Sequence, residues 1–246
     1  MKSNCLLNFS NFIKICAICS AFLIFGETVQ AQVYLLNEDF SSATGSNPPK
    51  GWNNLIVKGE ATDLWRFNNP GSRSSAYPFI GNFAIFDSEN YSGPGGAEQI
   101  SLETPFIDCS FSPYIILYFD HFFLADRNGK ATLEVFNGSS WTKKKIYTSS
   151  TSGIVSEKID LSSLIGNVRD AKIRFTWEGD SSKYWMLDNI KLLAPLVRDA
   201  NLKEFDSPKM PFSTGVNPVK VSLRNDGYQD IKTVKIRWTV NGVEQT

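Results

Sequence analysis

The stretch 114–124, YIILYFDHFFL, is the longest apolar run in the chain outside the N-terminal leader, and it sets the fold class. Aromatic and β-branched residues dominate it, Pro113 precedes it, and a charged turn of Asp126, Arg127, Asn128 and Gly129 follows, so it reads as a long central strand. Alternation puts Leu117, Phe119, His121 and Phe123 on one face and Tyr118, Asp120, Phe122 and Leu124 on the other. The first face is predicted to be core. The second should line the opposite, partly solvated face of the same sheet.

The rest of the body repeats this texture in shorter pieces. Strand-like runs at 33–40, 55–57, 65–68, 82–87, 98–102, 106–107, 131–136, 141–148, 154–160, 171–178 and 184–192 alternate with Gly, Pro, Asn and Ser clusters. None holds a 3.6-residue apolar period for long, so the expected class is all-β, a jelly-roll β-sandwich. Residues 161–165 suit a single helical turn capped by Asp160. Asn137-Gly138 reads as a type I′ hairpin turn, because both central positions there need positive φ. Ile173, Phe175 and Trp177 alternate with Lys172, Arg174 and Thr176, as a strand with one buried face requires. The glycine-rich 88–97 is either a plain connection or a binding loop, and the plain connection is the reading taken.

Residues 1–31 look like a secretory signal: Lys2 and Lys14, an apolar run at 15–25, and Val29-Gln30-Ala31 before a cleavage point. That run is short for a membrane span, so the mature chain is expected to be secreted or at the cell surface, with no membrane insertion after signal removal. Cys5, Cys16 and Cys19 leave with the leader. Cys109 then stands alone, which rules out an internal disulfide and favours a buried small apolar role. A formal net charge of zero points away from nucleic acid. His121, the only histidine, sits on an aromatic strand without partners for a zinc site. No G-x-S-x-G, P-loop or dinucleotide motif accompanies it, so no enzyme is expected.

Two binding roles remain. One is an adhesion or spacing unit that contacts an extracellular protein. The other is a carbohydrate-binding module accessory to a secreted hydrolase or protease, with Tyr118, Phe122, Phe136 and Tyr184 as a sugar platform beside Asp120 and Arg174. Tyr118, Asp120 and Phe122 are the central ligand candidates. Exposure discriminates: an open groove favours sugar, and coverage by loops favours the scaffold.

The motifs also resemble a family. Asn37-Glu38-Asp39-Phe40, Pro49-Lys50-Gly51-Trp52, Asp63-Leu64-Trp65, Leu102-Glu103-Thr104-Pro105-Phe106-Ile107-Asp108, Leu117-Tyr118-Phe119-Asp120, Ile159-Asp160-Leu161 and Trp185-Met186-Leu187-Asp188-Asn189-Ile190 are similar, in order, to those of cleaved-adhesin and choice-of-anchor J modules, jelly rolls related to MAM domains. The resemblance covers roughly 36–193 and places the jelly roll at 32–195. It implies a non-catalytic extracellular module of Bacteroidetes-type surface proteins, often with structural calcium. By position, Glu38 and Asp188 would be the metal ligands, with Asp87, Asp63 and Asp39 as weaker candidates. Hard cations want six to eight oxygens, so carboxylates plus loop carbonyls would serve. Where the family closes with two acids this chain has Asp188-Asn189, which predicts a weaker or differently completed site.

Beyond Pro195 the texture changes. Residues 196–218 read as a linker with Pro208, Pro211 and Pro218, followed by alternating strands at 219–227 and 233–242 with N-D-G and N-G turns. They look like the first half of an immunoglobulin-like module similar to CARDB domains. A whole sandwich of that kind needs about seven strands over ~100 residues, so 196–246 is expected to be truncated, with further domains beyond residue 246.

Overall fold

The computed structural model describes residues 33–91, 96–126, 128–209, 215, 217–240 and 242–245. The predicted signal at 1–31 lies outside them. No described helix is long and apolar enough to cross a membrane. Residues group into two compact units, Gln32–Pro195 and a second that takes in Leu196–Thr246.

The larger unit consists of two antiparallel sheets. The strands of its front sheet are β1 (Val33–Glu38), β3 (Ala84–Asp87), β5 (Ile116–Leu124), β8 (Val155–Asp160) and β10 (Tyr184–Ala194), ordered β1-β10-β5-β8, with β3 also paired to β10. The back sheet contains β2 (Asn53–Lys58), β4 (Glu98–Glu103), β6 (Lys130–Asn137), β7 (Trp141–Tyr147) and β9 (Ala171–Gly179), ordered β2-β4-β9-β6-β7. Single helical turns, α1 (Ser88–Tyr91) and α2 (Ser162–Ile165), link strands. The chain is therefore an all-β sandwich.

Alternation along β5 turns Leu117, Phe119, His121 and Phe123 into the interior and leaves Tyr118, Asp120, Phe122 and Leu124 half-buried on the outside. Trp185 lies at the centre of the aromatic core, with ring centroids of Trp65, Phe175, Tyr147, Phe123 and His121 at 5.6, 5.9, 6.1, 6.3 and 6.4 Å. From the back sheet Phe175 and Trp177 meet it, both fully buried.

Several local expectations are corrected. Residues 65–68 form no strand, although Trp65 and Phe67 are fully buried. The Asn54 side chain stands in for a neighbouring strand, accepting from Trp65 N–H at 3.1 Å and donating to Trp65 C=O at 2.9 Å. Only Arg66 makes a bridge, to Ile85. At 106–107 there is one bridge, Ile107 to Ala171, and Phe106 is exposed. Asn137 stays in β6, and its Oδ1 accepts the N–H groups of Ser139 and Ser140, so three residues connect β6 to β7 with Gly138 at φ 88° instead of a two-residue I′ turn. The glycine-rich connection opens with α1, and 92–95 lie outside the described residues. At α2, Asp160 Oδ1 accepts the Ser162 N–H at 2.8 Å.

In the second unit, the predicted linker contains a strand, β11 (Ala200–Ser207), paired antiparallel with β12 (Lys220–Asn225). The following predicted strand shrinks to β13 (Trp238–Val240), which pairs with β14 (Val243–Gln245) across Gly242 at φ 80°. Each pair is a separate two-stranded sheet, and Leu202, Phe205, Leu223, Val234 and Ile236 are exposed.

Candidate functional site

The site begins at an irregularity in β10. Its pairing with β5 shifts register between Asp188 and Lys191, where Asn189 takes a φ of 50°. The extra residue aims polar groups outward. Asn189 Nδ2 donates to Asp120 Oδ2 at 2.8 Å, and Ser156 Oγ donates to Asp120 Oδ1 at 2.5 Å. Asp188 is only 4% exposed and accepts the Asn189 N–H at 2.7 Å. Burial pushes its carboxyl up to about 7, against the pull of that N–H, and the negative charges of Asp39, Asp120 and Glu38 push the same way. A cleft of about 460 Å³ opens beside it, lined by Asp39, Ser41, Tyr77, Ile80, Asn82 and Asn189.

The acids singled out from sequence do not all converge. Glu38 pairs with Ile190, a core residue, so it faces the inner side of the sheet, where its Oε1 accepts the Phe40 N–H at 2.7 Å. Asp188 faces outward. Asp87 is fully buried and gripped by Arg73, whose Nε and Nη2 donate to its two oxygens at 2.7 and 2.6 Å, so it serves an ion pair. Asp63 accepts the Glu60 N–H at 2.7 Å and caps its own turn. Among the described residues, no three His, Cys, Asp or Glu side chains form a ready-made metal group. A cation at Asp188 would rest on that carboxylate, Asp39, and amide or main-chain oxygens. These are all hard oxygen donors, which suits calcium.

Arg73 also organises the second cleft, about 570 Å³ in volume and lined by Asn68, Asn69, Ser72, Ser75 and Phe83. Besides Asp87 it holds Glu89 at 2.9 Å and lies 5.0 Å from the centre of the Tyr184 ring. Asn69 clamps the turn, with Oδ1 accepting the Arg73 N–H and Nδ2 donating to the Arg73 carbonyl. Phe79 and Phe83 then pack on Ile85, Tyr184 and Met186, with Phe122 and Leu124 at the margin, as a second small core on the outer face of the front sheet. Between the clefts stand Tyr77, 81% exposed, and Ile80, 70% exposed. The sequence reading passes over both because nothing in a polar loop marks which side chain is left outside.

This second core decides the fate of the sugar platform. Phe122 and Tyr184 are packed together beneath the loop, ring centroids 5.8 Å apart. Phe136 and Arg174 belong to the back sheet, where they meet Trp141 at 5.3 and 3.9 Å. Asp120 is held by Ser156 and Asn189. Tyr118 remains half-exposed, with Lys158 Nζ 5.5 Å from its ring centre. The geometry therefore separates the residues grouped from sequence.

His121 is sealed in the core, where Nδ1 accepts from Trp185 Nε1 at 3.3 Å and Nε2 lies 3.5 Å from Glu157 Oε1. Burial holds it neutral, down to about 4. Cys109 is buried and its thiol is pushed up to about 12, chiefly by burial.

No protein-family model matches the chain, and no curated protein matches it. Solved structures do share the architecture. A cleaved adhesin domain of Lys-gingipain from Porphyromonas gingivalis superposes with a TM-score of 0.50 and 16% identity, over 66% of this chain and 99% of that one. In fold, the chain resembles a cleaved-adhesin domain. Another cleaved adhesin domain of the same gingipain gives 0.44 and 15%, over 64% and 96% of the two chains. A family 61 carbohydrate-binding module in complex with β-1,4-galactotriose gives 0.43 and 13%, over 63% and 93%. At such identities the likeness concerns the fold alone.

Proposed function

We propose that the chain is a non-catalytic binding or adhesion module of a larger secreted or cell-surface protein, a jelly roll followed by an immunoglobulin-like, CARDB-like unit. The observation that carries this reading is the ridge of Tyr77 and Ile80, an aromatic and an aliphatic side chain presented to solvent on a loop anchored by Arg73–Asp87 and by Phe79 and Phe83. Exposed apolar groups on a rigid base are what a docking site needs. The sealing of His121 and Cys109 supports a non-enzymatic role. A glycan partner is the second reading, because Tyr77 borders a cleft of amides and hydroxyls at Asn68, Asn69, Ser72 and Ser75.

The test is binding of the full chain to immobilised glycans and extracellular-matrix proteins, wild type against Tyr77→Ala. Loss of about tenfold or more with an unchanged melting temperature is expected for the true partner. Binding by no member of the panel, or binding indifferent to Tyr77, overturns the reading.

We also propose that Asp188 and Asp39 hold a structural calcium ion. Protonated Asp188 suits the metal-free state: with its folded pKa above the unfolded value, the native form binds more protons between about pH 4 and 7. Metal-free stability from this group therefore falls as pH rises through that window. Calcium needs the carboxylate, so its stabilising increment grows over the same range. His121 acts in the opposite sense, since its folded pKa is depressed and its contribution falls as pH drops from about 6.5 toward 4. The informative quantity is thus the difference between wild type and Asp188→Asn. Without calcium at pH 8 the variant should be more stable by on the order of 1–3 kcal/mol, and it should lose the calcium-dependent rise in melting temperature. A wild type indifferent to calcium and chelator at pH 8 removes the metal.

A further inference from the structure

On the outer face of the front sheet, clear of the loop that covers Phe122, a row of side chains crosses four strands. Register places Asn37 of β1 beside Lys191 of β10, Lys191 beside Tyr118 of β5, and Tyr118 beside Lys158 of β8. Paired residues point to the same side, so these four share the face. Strand spacing makes the row roughly 14 Å long. All four are partly or fully exposed.

What sets this row apart is that its two lysines flank one aromatic ring. Several other cations of the sandwich are matched with acids: Arg73 with Asp87 and Glu89, Lys130 with Glu178, Lys145 with Glu157, Lys172 with Glu103, Arg174 with Glu134. Lys158 and Lys191 have no carboxylate partner among the described residues. Two acids flank the row on the same face, and each accepts local hydrogen bonds from neutral donors. Asp120 accepts from Ser156 and Asn189, and Asp160 accepts the Ser162 N–H. Two unmatched ammonium groups therefore bracket one aromatic ring, with an exposed amide at the end of the row.

We propose that this row is a second binding site, for an anionic saccharide. The Tyr118 ring offers a flat apolar surface to a pyranose face, Lys158 and Lys191 neutralise a carboxylate or sulfate on it, and Asn37 supplies a further hydrogen bond. The shared feature is a sugar bearing negative charge. A neutral glycan leaves the lysines unmatched, and an acidic peptide leaves the ring unused.

Isothermal titration of the full chain with trigalacturonate, a heparin tetrasaccharide, neutral galactotriose and poly-glutamate tests this. The acidic saccharides should bind at least tenfold more tightly than galactotriose, and more weakly as salt rises. Whichever binds better tells whether carboxylate or sulfate is preferred. The double variant Lys158→Gln/Lys191→Gln, which alters only outward side chains, should lose tenfold or more, as should Tyr118→Leu, with unchanged melting temperatures. Equal affinity for galactotriose, insensitivity to the lysine pair, or poly-glutamate binding that Tyr118→Leu leaves intact overturns the site. Tyr77→Ala separates this outcome from the one above: it should leave acidic-saccharide binding unchanged, so either site can fail while the other stands.

Discussion

Replacing Arg73 by alanine should destabilise the larger unit by about 3–5 kcal/mol, the cost of leaving a buried carboxylate without its cation. Asp87 is fully buried and receives two donors from the guanidinium, at 2.7 and 2.6 Å. Space there is tight, since a Cβ on Gly71 would meet Asp87 Oδ2. The same substitution removes the cation over Tyr184 and frees the segment that presents Tyr77, so binding at the ridge should fall with stability. Urea unfolding of Arg73→Ala and of Arg73→Ala/Asp87→Asn separates charge from packing. The double variant should recover a substantial part of the loss, because its buried group is neutral. A single variant within about 1 kcal/mol of wild type, or a double variant no better than the single, would show that the pair is not what fixes the loop.

Trp185→Ala should cost a similar amount, about 3–5 kcal/mol. This side chain touches aromatic rings from both sheets and from the segment at Trp65, so its removal opens a cavity where the two layers meet. It also takes away the N–H that satisfies His121 Nδ1. Trp185→Phe should lose less, yet more than volume alone accounts for, because His121 would then be buried with that nitrogen unpaired. If Trp185→Phe behaves like wild type in urea, the indole–imidazole bond contributes nothing and the core is held by shape alone.

Much of the sandwich is legible in the chain. The alternation of 116–124 sorts core from surface directly, and the buried face of β9 follows from Ile173, Phe175 and Trp177. What escapes is phase. An unbroken alternation from Trp185 would carry Lys191 into the interior. The bulge at Asn189 reverses the pattern, so that Trp185 and Leu187, then Ile190 and Leu192, all face the core. The row formed by Lys191, Tyr118 and Lys158 exists only after that reversal, and no local residue pattern announces it. Glu38 and Asp188 illustrate the same point. Motif position puts them together, whereas the register of β1 on β10 sets them on opposite sides of the sheet. Trp65 escapes for another reason: its main chain is satisfied by a side chain from β2, a contact invisible to periodicity.

The pairing of β1 with β10 governs how the module answers a pull. Val33 lies opposite Ala194, so tension applied between the two ends of the unit loads a single rung at a time instead of shearing the whole ladder. Under load the edge strand should peel like a zip from Val33 toward Glu38, stopping where Asp39 and Asp188 flank one cleft. A cation bridging those two carboxylates would then be the latch at the end of the zip, making calcium a control on extension as well as on melting.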